Sequence, residues 1–361
     1  MEIKFFQAEC GDAASIRYLG NHGKYHNVFI DSGYERTFRY ALELEIQEII
    51  KRNEQIDLWV ISHIHDDHIG GIIKYIDCVN YGEFNDVVLK CIFNPPRNYN
   101  FIKLKKNVSK NVSIDQGDIL FEFLKSTNKL QDTDIVDIVE PIELEGFKLT
   151  FLSPSQKKLN KLRKKYSSVK FNTLEREEDE SISDAVSREG NDYKIPLKDF
   201  NLDSWTEDGS IENGSSISLL TEFENKKILW LADSHPTDVV KSLKKLGYDN
   251  ENKLKCEWVK VTHHGSKGNN NDDLFALIEC SNYLFSVNGI NKHNLPSKEC
   301  IARILRNKER PMNLKYNFYF TYDNEFLRSI FKNEDDTIFD DYNFQVFYNS
   351  EKAVKIDLKS I

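Results

Sequence analysis

The segment His63-Ile64-His65-Asp66-Asp67-His68 limits what this chain can be more than any other, because Ser62 alone separates it from Asp57–Ile61, a short apolar run that reads as a buried strand. Side chains alternate along a strand, so His63 and His65 at its end point the same way. A turn beyond them then aims Asp67 and His68 toward a neighbouring position. Imidazole and carboxylate suit zinc, manganese or iron. Two ligand pairs side by side are what a two-metal hydrolytic site requires. Gly70 and Gly71 let the next helix start close to such ions. Three unconnected histidines on a solvated turn would not bring together a strand end, two ligand pairs and two glycines.

Later segments complement the first. Leu229-Trp230-Leu231-Ala232-Asp233 is a buried strand ending in a carboxylate, placed either to bridge two ions or to cap the helix expected near Thr237. His263-His264-Gly265-Ser266 follows the apolar run Trp258–Val261. Adjacent histidines cannot both reach one point from an extended strand, so one is expected to ligate and the other to contact substrate or act as an acid. His293 follows Asn288-Gly289 and Asn291-Lys292; it reads as a phosphoryl contact or proton donor, or as a surface residue with no role. Asp12 and Asp31 close N-terminal strands, where each can orient a ligand histidine through its second ring nitrogen. Six of the nine histidines thus fall in three strand-end segments. His22, His26 and His235 receive no role.

Apolar strands and amphipathic helices alternate along the rest of the chain. Strands are expected at Ile3–Phe6, Ala14–Leu19, Asn27–Ile30, Val87–Phe93, Lys148–Leu152, Ser216–Thr221, Lys227–Ala232, Glu257–Thr262 and Tyr283–Val287. Helices are expected at Arg36–Arg52, Thr237–Leu246, Asp272–Ile278 and Lys298–Asn307. This is an α/β pattern, read as one domain over 1–361 with terminal strands at about 315–360. A polar insertion at about 155–212 interrupts it. Within it, the stretch from Lys157 to Arg176 holds eight Lys or Arg and one Glu, and an acidic stretch follows. That block is either a solvated helix and loop or a lid that contacts substrate or nucleic acid.

A net charge of −9 excludes a polycation that coats DNA or an anionic membrane by bulk charge. No apolar run approaches the roughly 20 residues that cross a bilayer, and the first residues read as a strand rather than a signal peptide. A cytoplasmic protein without membrane contact is expected. The six cysteines are spaced too far apart for CxxC chemistry and read as small buried hydrophobes.

On these residues the chain resembles the metallo-β-lactamase superfamily, and within it the hydrolase domain of ComEC-type competence proteins. The signature His-x-His-x-Asp-His stands as His63, His65, Asp67 and His68. Gly11-Asp12-Ala13, Asp31-Ser32-Gly33, Asn213-Gly214-Ser215-Ser216, Ala232-Asp233 and His263-His264-Gly265-Ser266 match further elements. Ser286-Val287-Asn288 through His293-Asn294-Leu295-Pro296-Ser297 matches the last loop, with Asn294 inserted after the histidine. The resemblance covers roughly 1–300. It implies a four-layer αββα sandwich with two divalent ions, Zn2+ or Mn2+, at one edge. His63 and His65 would hold the first ion, Asp67 and His68 the second, and Asp233 would bridge. Asn213 and Ser216 stand where relatives often carry another histidine, so the first ion is expected to be held weakly.

The implied chemistry is hydrolysis of a phosphodiester in nucleic acid or a nucleotide. Asp67 would orient the nucleophile or take its proton, while His264 or His293 would bind phosphoryl oxygens or help the leaving group. Lys292 would add charge, and Ser266 and Asn288 would line the substrate or support the ligands. The basic run favours DNA or RNA, with Lys103, Lys105, Lys106 and Lys110 as a second contact. Tyr166 and Phe171 are its only aromatics, too few for a stacking platform. Two alternatives stand beside this one. The first is a metallohydrolase of a small non-nucleotide ester or amide. The second is a weakly active metal-binding component of a competence or antiviral defence system, with partner proteins encoded nearby.

Overall fold

Leu58-Trp59-Val60-Ile61 is apolar at every position, which suits a strand only where both faces are covered. In the computed structural model, which describes residues 1–97, 112–167 and 190–358, that is its situation. Leu58 and Val60 face one apolar core while Trp59 and Ile61 face another. The strand, β4, belongs to a six-stranded sheet with β1 (Glu2–Phe6), β2 (Ala13–Leu19), β3 (Tyr25–Asp31), β5 (Cys91–Phe93) and β16 (Ala353–Asp357), in the order β16-β1-β2-β3-β4-β5. β3, β4 and β5 run parallel; the other pairs are antiparallel.

A second, eight-stranded sheet has the order β15-β14-β13-β11-β9-β8-β7-β6. Its strands are β6 (Ile142–Leu144), β7 (Phe147–Ser153), β8 (Ser218–Phe223), β9 (Lys226–Trp230), β11 (Trp258–Lys260), β13 (Asn282–Phe285), β14 (Tyr316–Phe320) and β15 (Phe344–Tyr348). From β9 to β15 all pairs are parallel. A short parallel pair, β10 (Leu254–Lys255) with β12 (Ile278–Glu279), lies apart.

Three cores define the layers. Ile16, Val28 and Val60 of the first sheet meet Phe151, Leu219 and Trp230 of the second between the sheets. Outside the first sheet, Phe29, Trp59 and Ile61 pack on helical residues Leu42, Ile46, Ile72 and Ile76. Outside the second, Leu229, Val259 and Phe285 pack on Val239, Leu243, Ile301 and Ile304. The result is a mixed α/β sandwich of four layers, helix, sheet, sheet and helix.

Some elements differ from the sequence reading. The strand expected over Val87–Phe93 forms only at Cys91–Phe93. The Tyr75 hydroxyl accepts from Val87 N and the Asp86 carboxylate from Val88 N, so these amides do not enter a ladder. Helix Asp66–Asn80 starts earlier than expected, so Asp67 and His68 sit in its first turn and not on a free turn. The stretch Arg36–Arg52 is helical but widens to a π turn at Phe38–Leu42. Ser216 and Ala232 lie outside their strands. The polar block contributes helix Gln156–Ser167, whose Leu159, Leu162 and Tyr166 join the outer core of the first sheet, while Tyr193, Leu197 and Phe200 join that of the second. Lys103, Lys105, Lys106, Lys110 and Phe171, like most of the acidic stretch, lie outside the described residues. Among the described residues no helix is long and apolar enough to cross a membrane.

Candidate metal centre

Parallel strands place their carboxyl ends on one edge, and the loops leaving those ends gather the polar residues. β3 ends in Asp31, β4 runs into Ser62-His63, β9 into Asp233, β11 into His263-His264 and β13 into Ser286. His65 is the capping residue of helix Asp66–Asn80. The neighbours His263 and His264 both take left-handed backbone, with φ of 45° and 53°. That conformation costs on the order of 1–3 kcal/mol for a residue other than glycine, and here it turns both rings toward one carboxylate.

That carboxylate is Asp233, 1% exposed. His63 Nε2 lies 3.8 Å, His68 Nε2 3.4 Å and His263 Nε2 3.7 Å from its Oδ2, and His264 Nε2 lies 3.6 Å from Oδ1. Asp67 Oδ2 is 3.6 Å from His68 Nε2 and 3.3 Å from His264 Nε2. Two groups of ligand atoms, each within 4.8 Å of one another, share Asp233: His63 with His65, and Asp67 with His68 and His264.

On His63, His68, His263 and His264 the second ring nitrogen is occupied. His68 Nδ1 donates to Asp31 Oδ2 at 2.9 Å, His264 Nδ1 to Ser286 O at 2.9 Å, and His263 Nδ1 to Asn269 Oδ1 at 2.7 Å. Ser62 Oγ donates to Asp31 Oδ2, so its lone pair takes His63 Nδ1 at 3.1 Å. Partners of this kind fix ring orientation and leave Nε2 as the ligand atom. His63 Nε2, His68 Nε2, His264 Nε2 and Asp233 Oδ1 are buried without any hydrogen-bond partner. Buried polar atoms are rarely left so. Four of them converging on one point, with borderline nitrogen and oxygen donors, fit a divalent-cation site.

The electrostatics agree. Burial, then the neighbouring His68 and His65, hold His63 well below the usual imidazole range, so it stays neutral. For His68 burial acts downward, but Asp233, Asp67 and Asp31 outweigh it and hold the ring well above that range. Burial likewise opposes ionisation of Asp67 and Asp233, yet the surrounding imidazoles hold both carboxyls low.

The remaining candidates scatter. Asn213 and Ser216 are buried beside the centre, and Asn213 Oδ1 and Ser216 Oγ have no partner. Asn213 Nδ2 donates to Asp208. Ser266 caps the following turn by accepting from Gly268 N, and Asn288 closes its own turn by accepting from Ile290 N. Lys292 and His293 are exposed on a loop organised by Asn291, whose Oδ1 accepts from His293 N and Leu295 N. Partial desolvation of its ring, then Lys292 and His263, lower the His293 imidazole. Asp12 lies behind the ligands, 3.5 Å from His264 Nδ1.

Sequence reasoning missed Ser62, Asp208, Asn269 and Lys260. Of these only Lys260 carried a signal, a charge within the apolar run Trp258–Val261. In the basic helix, Lys158 is 3.5 Å from Asp238, Arg163 pairs with Asp134 at 2.5 Å and Lys165 with Glu212 at 2.6 Å. Lys157, Lys161 and Lys164 remain exposed at i, i+4 and i+7.

Comparison with curated proteins finds no match. Among solved structures, the metallo-beta-lactamase fold protein YhfI from Bacillus subtilis aligns over 99% of this chain and 100% of its own at 7% identity, with a TM-score of 0.43. Zn2+-bound PqqB from Methylobacterium extorquens aligns over 99% and 100% at 11% identity, with a TM-score of 0.41. Residues 22–151, which hold β3, β4 and the candidate ligands His63, His65, Asp67 and His68, match the Metallo-beta-lactamase superfamily.

Proposed function

We propose that the protein is a metal-dependent hydrolase of phosphodiesters in nucleic acid or nucleotides. The carrying observation is the pair of ligand groups that share Asp233, with inward, unpartnered Nε2 atoms on His63, His68 and His264. Divalent ions bound there supply Lewis acidity and lower the pKa of water. Three side chains serve the first group and four the second, which supports tighter binding at the second. Asp67, held between His68 and His264, is the carboxylate placed to orient a nucleophile. His264 is absorbed into the ligand set, which leaves half-buried His263 and exposed His293, with Lys292, to meet a phosphoryl group.

The choice of a phosphodiester rests on the ComEC-type motif resemblance and on the exposed Lys157, Lys161 and Lys164. Their helix reaches the centre through Lys165 and Tyr166, which bond Glu212 beside Asn213. A small-ester substrate is favoured by one opposing observation, that Lys158, Arg163 and Lys165 are committed to acidic partners.

The test is turnover of bis(p-nitrophenyl) phosphate, single-stranded DNA, RNA and a panel of carboxylic esters with added Mn2+ or Zn2+, using Asp67→Ala as control. The proposal expects metal-dependent phosphodiester cleavage, lost in the variant. For nucleic acid, turnover should weaken steeply with salt. Cleavage that survives Asp67→Ala removes the assigned site; turnover of esters alone, insensitive to salt, selects the second reading.

A further inference from the structure

Lys260 lies on β11 between the fully buried Val259 and Val261 and is itself 3% exposed. An ammonium in an apolar interior is strongly unfavourable without a partner. Here Nζ meets Asp12 Oδ2 and lies 3.4 Å from Ala232 O. An apolar side chain of the same length would fill that space without needing a counter-charge, and buried ion pairs are often no more stabilising than such a replacement. Packing therefore does not account for the pair.

What Asp12 faces does account for it. Its Oδ1 is 3.5 Å from His264 Nδ1 and its Oδ2 is 3.9 Å from His68 Nδ1. These are the rear nitrogens of the two rings whose Nε2 atoms face Asp67 and Asp233. Asp12 Oδ1 is buried with no hydrogen-bond partner of its own. Behind His68, moreover, Asp12 and Asp31 form a second acidic recess, with ligand atoms of all three residues within 4.8 Å. The backbone around Asp12 is fixed independently of Lys260. Asp12 N donates to Asp67 O at 3.1 Å, Gly33 N to Asp12 O at 2.7 Å, and Ser286 Oγ to Gly11 O at 2.6 Å. What remains to be set is the direction of the Asp12 side chain.

We propose that Lys260 is a positioning residue of the second metal centre. It holds the Asp12 carboxylate behind His68 and His264, where the negative charge reinforces the orientation that Asp31 and Ser286 O give the two rings and helps keep both Nε2 atoms turned toward Asp67 and Asp233. Its charge also fills the recess that Asp12 and Asp31 would otherwise offer to a cation. The inference rests on the metal-centre reading above.

The test is a Co2+ titration of the full chain, read by equilibrium dialysis against a chelator and by the visible absorption of the bound ion, with thermal unfolding recorded alongside. Wild-type protein should hold two ions. Lys260→Met should hold one of them about 10- to 100-fold more weakly, the range usual for loss of an outer partner, with an altered visible spectrum. Lys260→Arg, which keeps the charge, should return the affinity toward the wild-type value and restore the wild-type spectrum. Asp12→Asn combined with Lys260→Met removes both buried charges and should regain thermal stability while keeping the weakened affinity and altered spectrum. This double variant carries the test if Lys260→Met does not fold. A double variant with wild-type affinity and spectrum overturns the proposal, as does Lys260→Met indistinguishable from wild type in both. If wild-type protein holds no ion, the metal centre itself falls; if it holds two and the variants are unaltered, only the role of Lys260 falls.

Discussion

Asp233 and His264 separate the two halves of the site at the scale of single residues. Asp233 belongs to both ligand groups and His264 to one. Asp233→Asn should therefore weaken both ions, whereas His264→Ala should weaken one and spare the other, as read by metal content after gel filtration. Protons report on the same centre. In the metal-free protein His68 carries a proton held by Asp233, Asp67 and Asp31 against the effect of burial. A cation must displace it, so apparent affinity should rise with pH through the neutral range. Calorimetry in buffers of different ionisation enthalpy should detect the release. The linked effect on the metal-free fold has the opposite sign. Because the folded value is raised, stabilisation from that proton is complete below the unfolded value of about 6.5 and is lost as pH climbs through the raised one.

The close approaches that build the site become visible at the scale of elements. A Cβ on Gly71 would lie 2.1 Å from Ser32 O, so helix Asp66–Asn80 can dock on the segment after β3 only with glycine there. Gly71→Ala should lower stability by about 1–3 kcal/mol in chemical denaturation, although alanine is the better helix former. Whatever part of this was legible in the sequence came from local pattern. The alternation and apolar runs marked β1, β2, β4 and β14, and the histidines at strand ends marked the edge where ligands gather. Contacts between distant segments left no such pattern. Asp208 and Ser62 read as ordinary loop residues, and only folding brings Asp208 to His263 and Ser62 to Asp31. The basic helix shows the same limit, since the partners of Arg163 and Lys165 stand at Asp134 and Glu212. The lysines left exposed there can be tested as a face. Replacing Lys157, Lys161 and Lys164 by Glu should depress turnover of nucleic acid and flatten its salt dependence, with bis(p-nitrophenyl) phosphate unaffected.

For the whole molecule, the sandwich is held by three apolar cores, and the metal centre sits where the carboxyl ends of both sheets' parallel strands meet. Ions bound there would tie the segment that follows β4 in one sheet to those that follow β9 and β11 in the other. An ion that binds only the folded chain stabilises it by about 2.7 kcal/mol at a hundredfold excess over Kd, so chelation should lower the unfolding temperature. The central claim, two cations sharing one carboxylate, is tested most directly by elemental analysis of purified wild-type protein and Asp233→Asn after equilibration with Zn2+ or Mn2+. The account predicts two ions per wild-type chain and loss of both from the variant. A wild-type chain that binds none, or an Asp233→Asn chain that still holds two with unchanged affinity, would contradict it.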